Sequence, residues 1–204
     1  FEDFLKERIF DPLGMDDTAF YVPQDKQGRL AAVYTPVKSD PPDAQKGVGI
    51  QRMGLSEDDP YHAWATMQDP PAFPSGGGGL VATTEDYLRF AEMMRRQGEL
   101  DGVRLLGRKT VDLMTMNHLT PDMRPAHDPN MGFGLGVSVT LDVAQTHNLG
   151  SAGNYGWSGA ASTHYWVDPR EALIGLLMVQ FMPNGHYPIH DQLRALVYQA
   201  LVEG

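Results

Sequence analysis

"GNYGWSGAASTHYWVDP", Gly153 to Pro169, decides how this chain folds. Read as a nucleophile elbow, Gly156-Trp157-Ser158-Gly159-Ala160 departs from G-x-S-x-G only at Ala160. An elbow needs a strand before its serine and a helix after it, so that the turn presents the hydroxyl. Beyond Ser158 the chain runs on as "ASTHYWVDP", a β-branched and aromatic run closed by Pro169, and that pattern predicts a strand. A triad would also need an acid and then a histidine downstream. Asp168 and His190 come in that order, but Asp168 falls on the turn of the same hairpin. The stretch therefore reads as the wall of a site whose nucleophile lies elsewhere.

Working outward, "EALIGLLMVQFM" predicts a second strand, antiparallel to the first across Pro169 and Arg170. "MGFGLGVSVTLD" predicts one glycine-rich strand before them. The closing "HDQLRALVYQALVEG" predicts a helix, with Ile189, Leu193, Leu196, Val197, Ala200 and Leu201 in one apolar stripe. Upstream, "TTEDYLRFAEMMRRQG" carries a full set of helix signals. Thr83 caps it, Asp86 sits in the first turn, Tyr87, Phe90, Ala91 and Met94 share a face, and Gly98 stops it. Asp101-Gly102 predicts a hairpin turn, and "GRKTVDLMTMNHL" another helix. Residues 21 to 74 are rich in Pro, Asp, Gln and Gly and predict a long irregular excursion, with short strands around Ala31–Tyr34. Loops of that length in compact domains are usually functional or mobile. The first helix, "FEDFLKERIFDPLGM", places Phe1, Phe4, Leu5 and Ile9 on one face and is expected to end at Pro12 and Gly14. It starts with no cap before it, so the chain is expected to begin in mid-domain. Consecutive antiparallel strands with separate helices give the fold class: α+β, helices packed on an antiparallel sheet.

Composition narrows the functions. Of the 204 residues, 42% are hydrophobic and 21% charged, which supports a packed core rather than disorder. The net charge of −10 argues against nucleic acid and anionic membrane surfaces as partners. The absence of cysteine removes disulfides, thiolate nucleophiles and cysteine metal sites. No apolar run approaches the roughly 18 residues of a membrane span. The compartment stays open, with the cytoplasm slightly favoured over the periplasm.

Other chemical candidates read blandly. "PSGGGGL" lacks the lysine and the immediate helix of a phosphate cradle, so it predicts a tight turn that also permits close backbone approach. His186 and His190 have H-x3-H spacing but no third ligand, and His62, His118, His127, His147 and His164 are scattered, so no metal or cofactor is expected. Asp58 and Asp59 read as solvated loop charges. Small residues from Ser158 to Ala161 leave room beside a strand, where a backbone N–H can face a developing oxyanion.

"FLKERIFDPLGMDDTAF", "SGGGGLVATTEDYLRFAEMM", "LLGRKTVDLMTMNHL", "GFGLGV" and "GWSGAASTHYWVDPREALIGLLMVQ" occur in the order found in the serine β-lactamase-like family. The chain resembles class C β-lactamases, D-alanyl-D-alanine peptidases and related serine esterases over nearly its whole length. The resemblance implies a Ser-x-x-Lys nucleophile motif, a Tyr-x-Asn-like proton-transfer motif, and a third motif on a strand edging the site. Trp157-Ser158-Gly159 matches that third motif, which makes these three substrate-binding residues. The N–H of Ala160 then matches one oxyanion donor.

The chain also departs from the family pattern. No serine here is followed at the third position by lysine, and no tyrosine is followed at the second by Asn or Ser. Both motifs lie upstream of the "FLKERIFDPLGM" helix in the family. The expectation is therefore a C-terminal part, residues 1–204, of a single β-lactamase-like domain. Its partner would be the N-terminal portion of the same protein, and the chain alone would be inactive. Trp157 stands where many members carry Lys or His, and an indole cannot pair with a carboxylate. The resemblance thus implies a carboxylesterase working through an acyl-enzyme on a small ester or amide. A β-lactamase, a D-alanyl-D-alanine peptidase, or a non-catalytic binding relative are the alternatives.

Overall fold

A computed structural model describes residues 1–37, 49–59, 61–125 and 130–202. The chain opens with helix α1 (Glu2–Leu5), a π turn at Lys6–Phe10 and α2 (Asp11–Leu13), stopped by Gly14 in the left-handed conformation at φ 65°. Pro12 lies inside this helix rather than ending it. The π turn before it already interrupts the regular ladder, where a missing N–H costs little. The excursion then forms a 3₁₀ turn (Gln24–Arg29), the strand pair β1 (Tyr34–Pro36) and β2 (Ile50–Arg52), and α3 (His62–Thr66). The expected strand near Ala31–Tyr34 therefore starts only at Tyr34.

Helix α4 (Thr84–Arg95) begins where Thr83 accepts a hydrogen bond from the Asp86 N–H. It ends where Gln97 and Gly98 donate back to Met94 and Met93. A hairpin of β3 (Glu99–Leu100) and β4 (Val103–Arg104) turns at Asp101-Gly102, both at positive φ as the tight turn requires. Helix α5 (Arg108–Thr115) comes next.

The main sheet has five antiparallel strands in sequence order: β5 (Met131–Phe133), β6 (Ser138–Thr140), β7 (Tyr155–Ser158), β8 (His164–Asp168) and β9 (Leu173–Leu177). The expected single strand over "MGFGLGVSVTLD" is two, because Gly134 donates to Val137 and Gly136 adopts φ 92°, turning the chain back. The short α6 (Val143–Thr146) links β6 to β7, and α7 (Ile189–Gln199) closes the fold.

Strand alternation sorts the two faces. Tyr155, Trp157, Tyr165, Val167 and Ile174 lie on one face, and Val139 with Tyr155, Val167, Ala91 and Met94 builds the core beneath α4. Ser158, His164 and Trp166 lie on the other face, under α7. Trp166 is fully buried there. A Cβ on Gly175 would meet its ring at 2.1 Å, so that glycine makes space for the indole. Losing the indole would cost about 3–5 kcal/mol. Helix α7 meets the sheet through His190, Arg194 and Tyr198, while Leu196 of its apolar stripe is 66% exposed. At the other end of the chain, Leu5 and Ile9 pack against the core but Phe1 and Phe4 stay exposed.

Candidate active-site wall

The β7–β8 hairpin positions every residue of the expected third motif. Tyr155, Gly156, Trp157 and Ser158 pair with Val167, Trp166, Tyr165 and His164. Gly156 sits close against the facing strand: a Cβ there would lie 2.1 Å from the Tyr165 carbonyl oxygen.

Trp157 is 47% exposed, and its ring stands edge-on to Phe133 with centroids 5.2 Å apart. Opposite it, Tyr165 packs edge-to-face on Tyr87 of α4 at 5.0 Å. Burial pushes both phenols up, so they stay protonated. The result is an aromatic face, backed by α4, with one indole left open.

Ser158 projects to the opposite side. Its Oγ lies 2.8 Å from Nδ1 of His164, and the His164 ring stacks on His190 at 4.5 Å and 14°. His190 Nε2 lies 2.8 Å from the Ser162 carbonyl oxygen. Burial, reinforced by the charges of His190 and Arg194, pushes the His164 imidazole down to about 4. Ser158 and His164 border a cavity of about 630 Å³, together with Asn148, His190, Asp191 and Arg194.

Between the strands runs the turn Gly159 to Thr163. The Gly159 N–H donates to Thr163 O at 2.8 Å and the Ser162 N–H to Gly159 O at 3.1 Å. A Cβ on Gly159 would fall 2.3 Å from the Thr163 hydroxyl, so glycine is the residue that fits this turn. Ala160 is exposed, and its carbonyl accepts from the Asn184 N–H at 3.0 Å. Its own N–H has no acceptor among the described residues. Ala160 thus sits in a turn held by backbone bonds on either side.

The remaining candidates have structural partners. Gly79 donates to Ser75 O, and a Cβ on it would lie 2.8 Å from that oxygen and 3.1 Å from Phe20, so the glycine run makes a tight turn packed on the chain. Asp59 is not merely solvated: it accepts from the N–H groups of Gly54 and Tyr61, which hold its carboxyl below the usual range. His62 bonds to Gly54 O, His118 to Leu113 O, and His186 packs on Phe181 and Tyr187. His127 lies outside the described residues. Among the described residues no three His, Asp or Glu side chains form a metal-holding group. No helix there is long and apolar enough to cross a membrane.

Sequence reasoning missed the Phe133 contact, the Ser158–His164 pair, and the brace from Asn184. Only the second left a local signal. A five-residue connection between Ser158 and His164 makes them cross-strand neighbours once both flanks are strands.

Known proteins resemble this chain in sequence and fold. The family model described as Beta-lactamase matches residues 1–199. Protein Rv1367c of Mycobacterium tuberculosis is 37% identical over 190 residues, covering 88% of this chain and 43% of that protein. Lovastatin esterase of Penicillium rubens is 28% identical over 201 residues, covering 87% of this chain and 44% of the esterase. The solved structure of EstCE1, a hydrolase with promiscuous acyltransferase activity, matches at TM-score 0.74 and 25% identity, over 97% of this chain and 50% of that one. The chain thus spans less than half the length of these two curated relatives. The family match runs from the first helix through all five strands of the main sheet to the end of α7, and on that ground the chain belongs to the beta-lactamase family.

Proposed function

We propose that this chain supplies the substrate wall and one oxyanion donor of a serine hydrolase, a carboxylesterase working through an acyl-enzyme. In this reading the Ala160 N–H receives the oxygen that gains negative charge when a serine attacks the ester carbonyl. Such fixed donors are worth about 10²–10³-fold in rate. Trp157 offers its open ring to the substrate, and Gly159 gives clearance beside it. Ser158 is the middle residue of the wall and not the nucleophile. The attacking serine and its proton acceptor belong to sequence preceding Phe1, and the 204 residues alone are inactive.

The observation that carries the reading is Ala160: an exposed residue whose N–H has no acceptor among the described residues, in a turn bonded on both sides. The motif position of Trp157 supports ester over lactam or peptide substrates, because an indole cannot pair with the carboxylate that penicillins and peptidoglycan stems present. The name of lovastatin esterase supports ester hydrolysis, and the description of EstCE1 supports a hydrolase that handles acyl groups.

The test is hydrolysis of 4-nitrophenyl acetate by the natural protein in full and by the 204-residue chain. The expected result is turnover by the first and only the buffer rate from the second. Turnover by the chain alone contradicts a divided site. No turnover by either favours a non-catalytic relative.

A further inference from the structure

The turn that carries the Ala160 N–H is braced by the segment after β9, and the excursion grips that segment in turn. On the turn side, Asn184 N–H donates to Ala160 O at 3.0 Å and Phe181 N–H to Ala161 O at 2.9 Å. The Ser162 hydroxyl donates to Phe181 O at 2.8 Å. On the excursion side, Tyr34 N–H donates to Gln180 O at 2.9 Å and Met182 N–H to Tyr34 O at 2.8 Å, a parallel bridge between Tyr34 and Phe181. Tyr34 also opens the β1–β2 hairpin, pairing with Arg52. Backbone bonds thus tie β1 to the turn through the segment after β9.

All these tethers except one are made by backbone atoms, so the side chains along the segment are left for another use. They are aromatic. Phe181 packs on Tyr187 at 5.0 Å and on His186 at 5.5 Å, and His186 stands edge-on to Tyr187 at 4.6 Å. Tyr34 and Tyr187 are large exposed rings, 37% and 41% accessible, and none of these residues belongs to the core. Trp157, on the strand that enters the turn, forms a separate aromatic pair with Phe133 of β5. The candidate oxyanion donor therefore has aromatic side chains on the strand before its turn and on the segment bonded to it.

We infer that Tyr34, Phe181 and Tyr187 form an apolar subsite that binds an uncharged aliphatic or aryl substituent of the ester. The inference rests on the reading of Ala160 as an oxyanion donor. Rings without fixed charge favour such a group over a carboxylate, because burying an unpaired charge against them is costly. The excursion acts as a specificity element whose position is set by the Tyr34–Phe181 bridge.

The test uses the natural protein in full, with Tyr34→Ala and Tyr187→Ala. Two series are measured: 4-nitrophenyl acetate against octanoate, and ethyl acetate against octyl acetate. The ratio of kcat/KM for the long over the short ester is expected to fall about tenfold in at least one series for both variants, the scale of lost apolar pocket contacts. If Tyr34→Ala fails to fold, Tyr187→Ala, in an exposed segment outside the hairpin, decides alone. Ratios that do not move in an active protein overturn the subsite and leave the hydrolase reading standing. A parent protein that hydrolyses none of these esters overturns the hydrolase reading, and the subsite with it.

Discussion

The hydroxyl of Ser158 lies 2.8 Å from Nδ1 of His164 across the last pair of the β7–β8 ladder, with His190 stacked on the far side of the imidazole. This pair locks the strand end from which the Ala160 turn departs. It also couples the fold to pH. The imidazole titrates at about 4 in the folded chain against 6.5 ordinarily, chiefly because burial disfavours its charged form. Between those values the unfolded chain binds the extra proton, so stability falls as pH drops from about 6.5 to about 4 and the loss is then complete. About 3 kcal/mol is at stake. His164→Gln removes this titration. Urea midpoints measured from about pH 7 to about pH 4 should decline less steeply in the variant, and equal slopes would contradict the assignment.

The wall residues should separate in kinetics. Ala160→Pro deletes the candidate oxyanion N–H, and kcat for 4-nitrophenyl acetate in the full natural protein should fall by about 10²-fold or more with little change in KM. In the proposed site Trp157 meets substrate in ground and transition states alike, so for Trp157→Ala KM should rise severalfold while kcat changes less. Thermal melts of both variants check that the hairpin still forms.

Glycines differ sharply in what they tolerate. A Cβ at Gly156 would meet the Tyr165 carbonyl oxygen at 2.1 Å and the Trp166 Cα at 2.8 Å, whereas a Cβ at Gly28 would meet nothing within 4 Å. Gly156→Ala should therefore cost about 2–3 kcal/mol in denaturant unfolding. Gly28→Ala should cost almost nothing. Similar costs at both positions would mean that the β7–β8 register is wrong.

Local chemistry made much of this legible in the sequence. The Thr83 cap, the Gly98 stop, the Asp101-Gly102 turn and the strand after Ser158 each depend on residues within a few positions of one another. The strand pair around Gly134 and Gly136 was harder to read, since glycine in a strand pattern signals a bulge as readily as a turn. Periodicity revealed the apolar stripe of α7 but not that Leu196 stays exposed, because a pattern marks a face without naming what covers it. The family motif singled out Trp157, Ser158, Gly159 and Ala160. The bonds that hold this turn come from Phe181 and Asn184, and the ring beside Trp157 from Phe133. Those contacts join residues far apart along the chain and follow no local rule.

In the proposed site Ser158 belongs to the wall, and another serine attacks the ester. The most direct measurement is covalent labelling of the full natural protein with a fluorophosphonate, followed by peptide mapping. A single labelled serine preceding Phe1 is expected, with the peptide containing Ser158 unmodified. A label on Ser158, lost in Ser158→Ala, would contradict the claim.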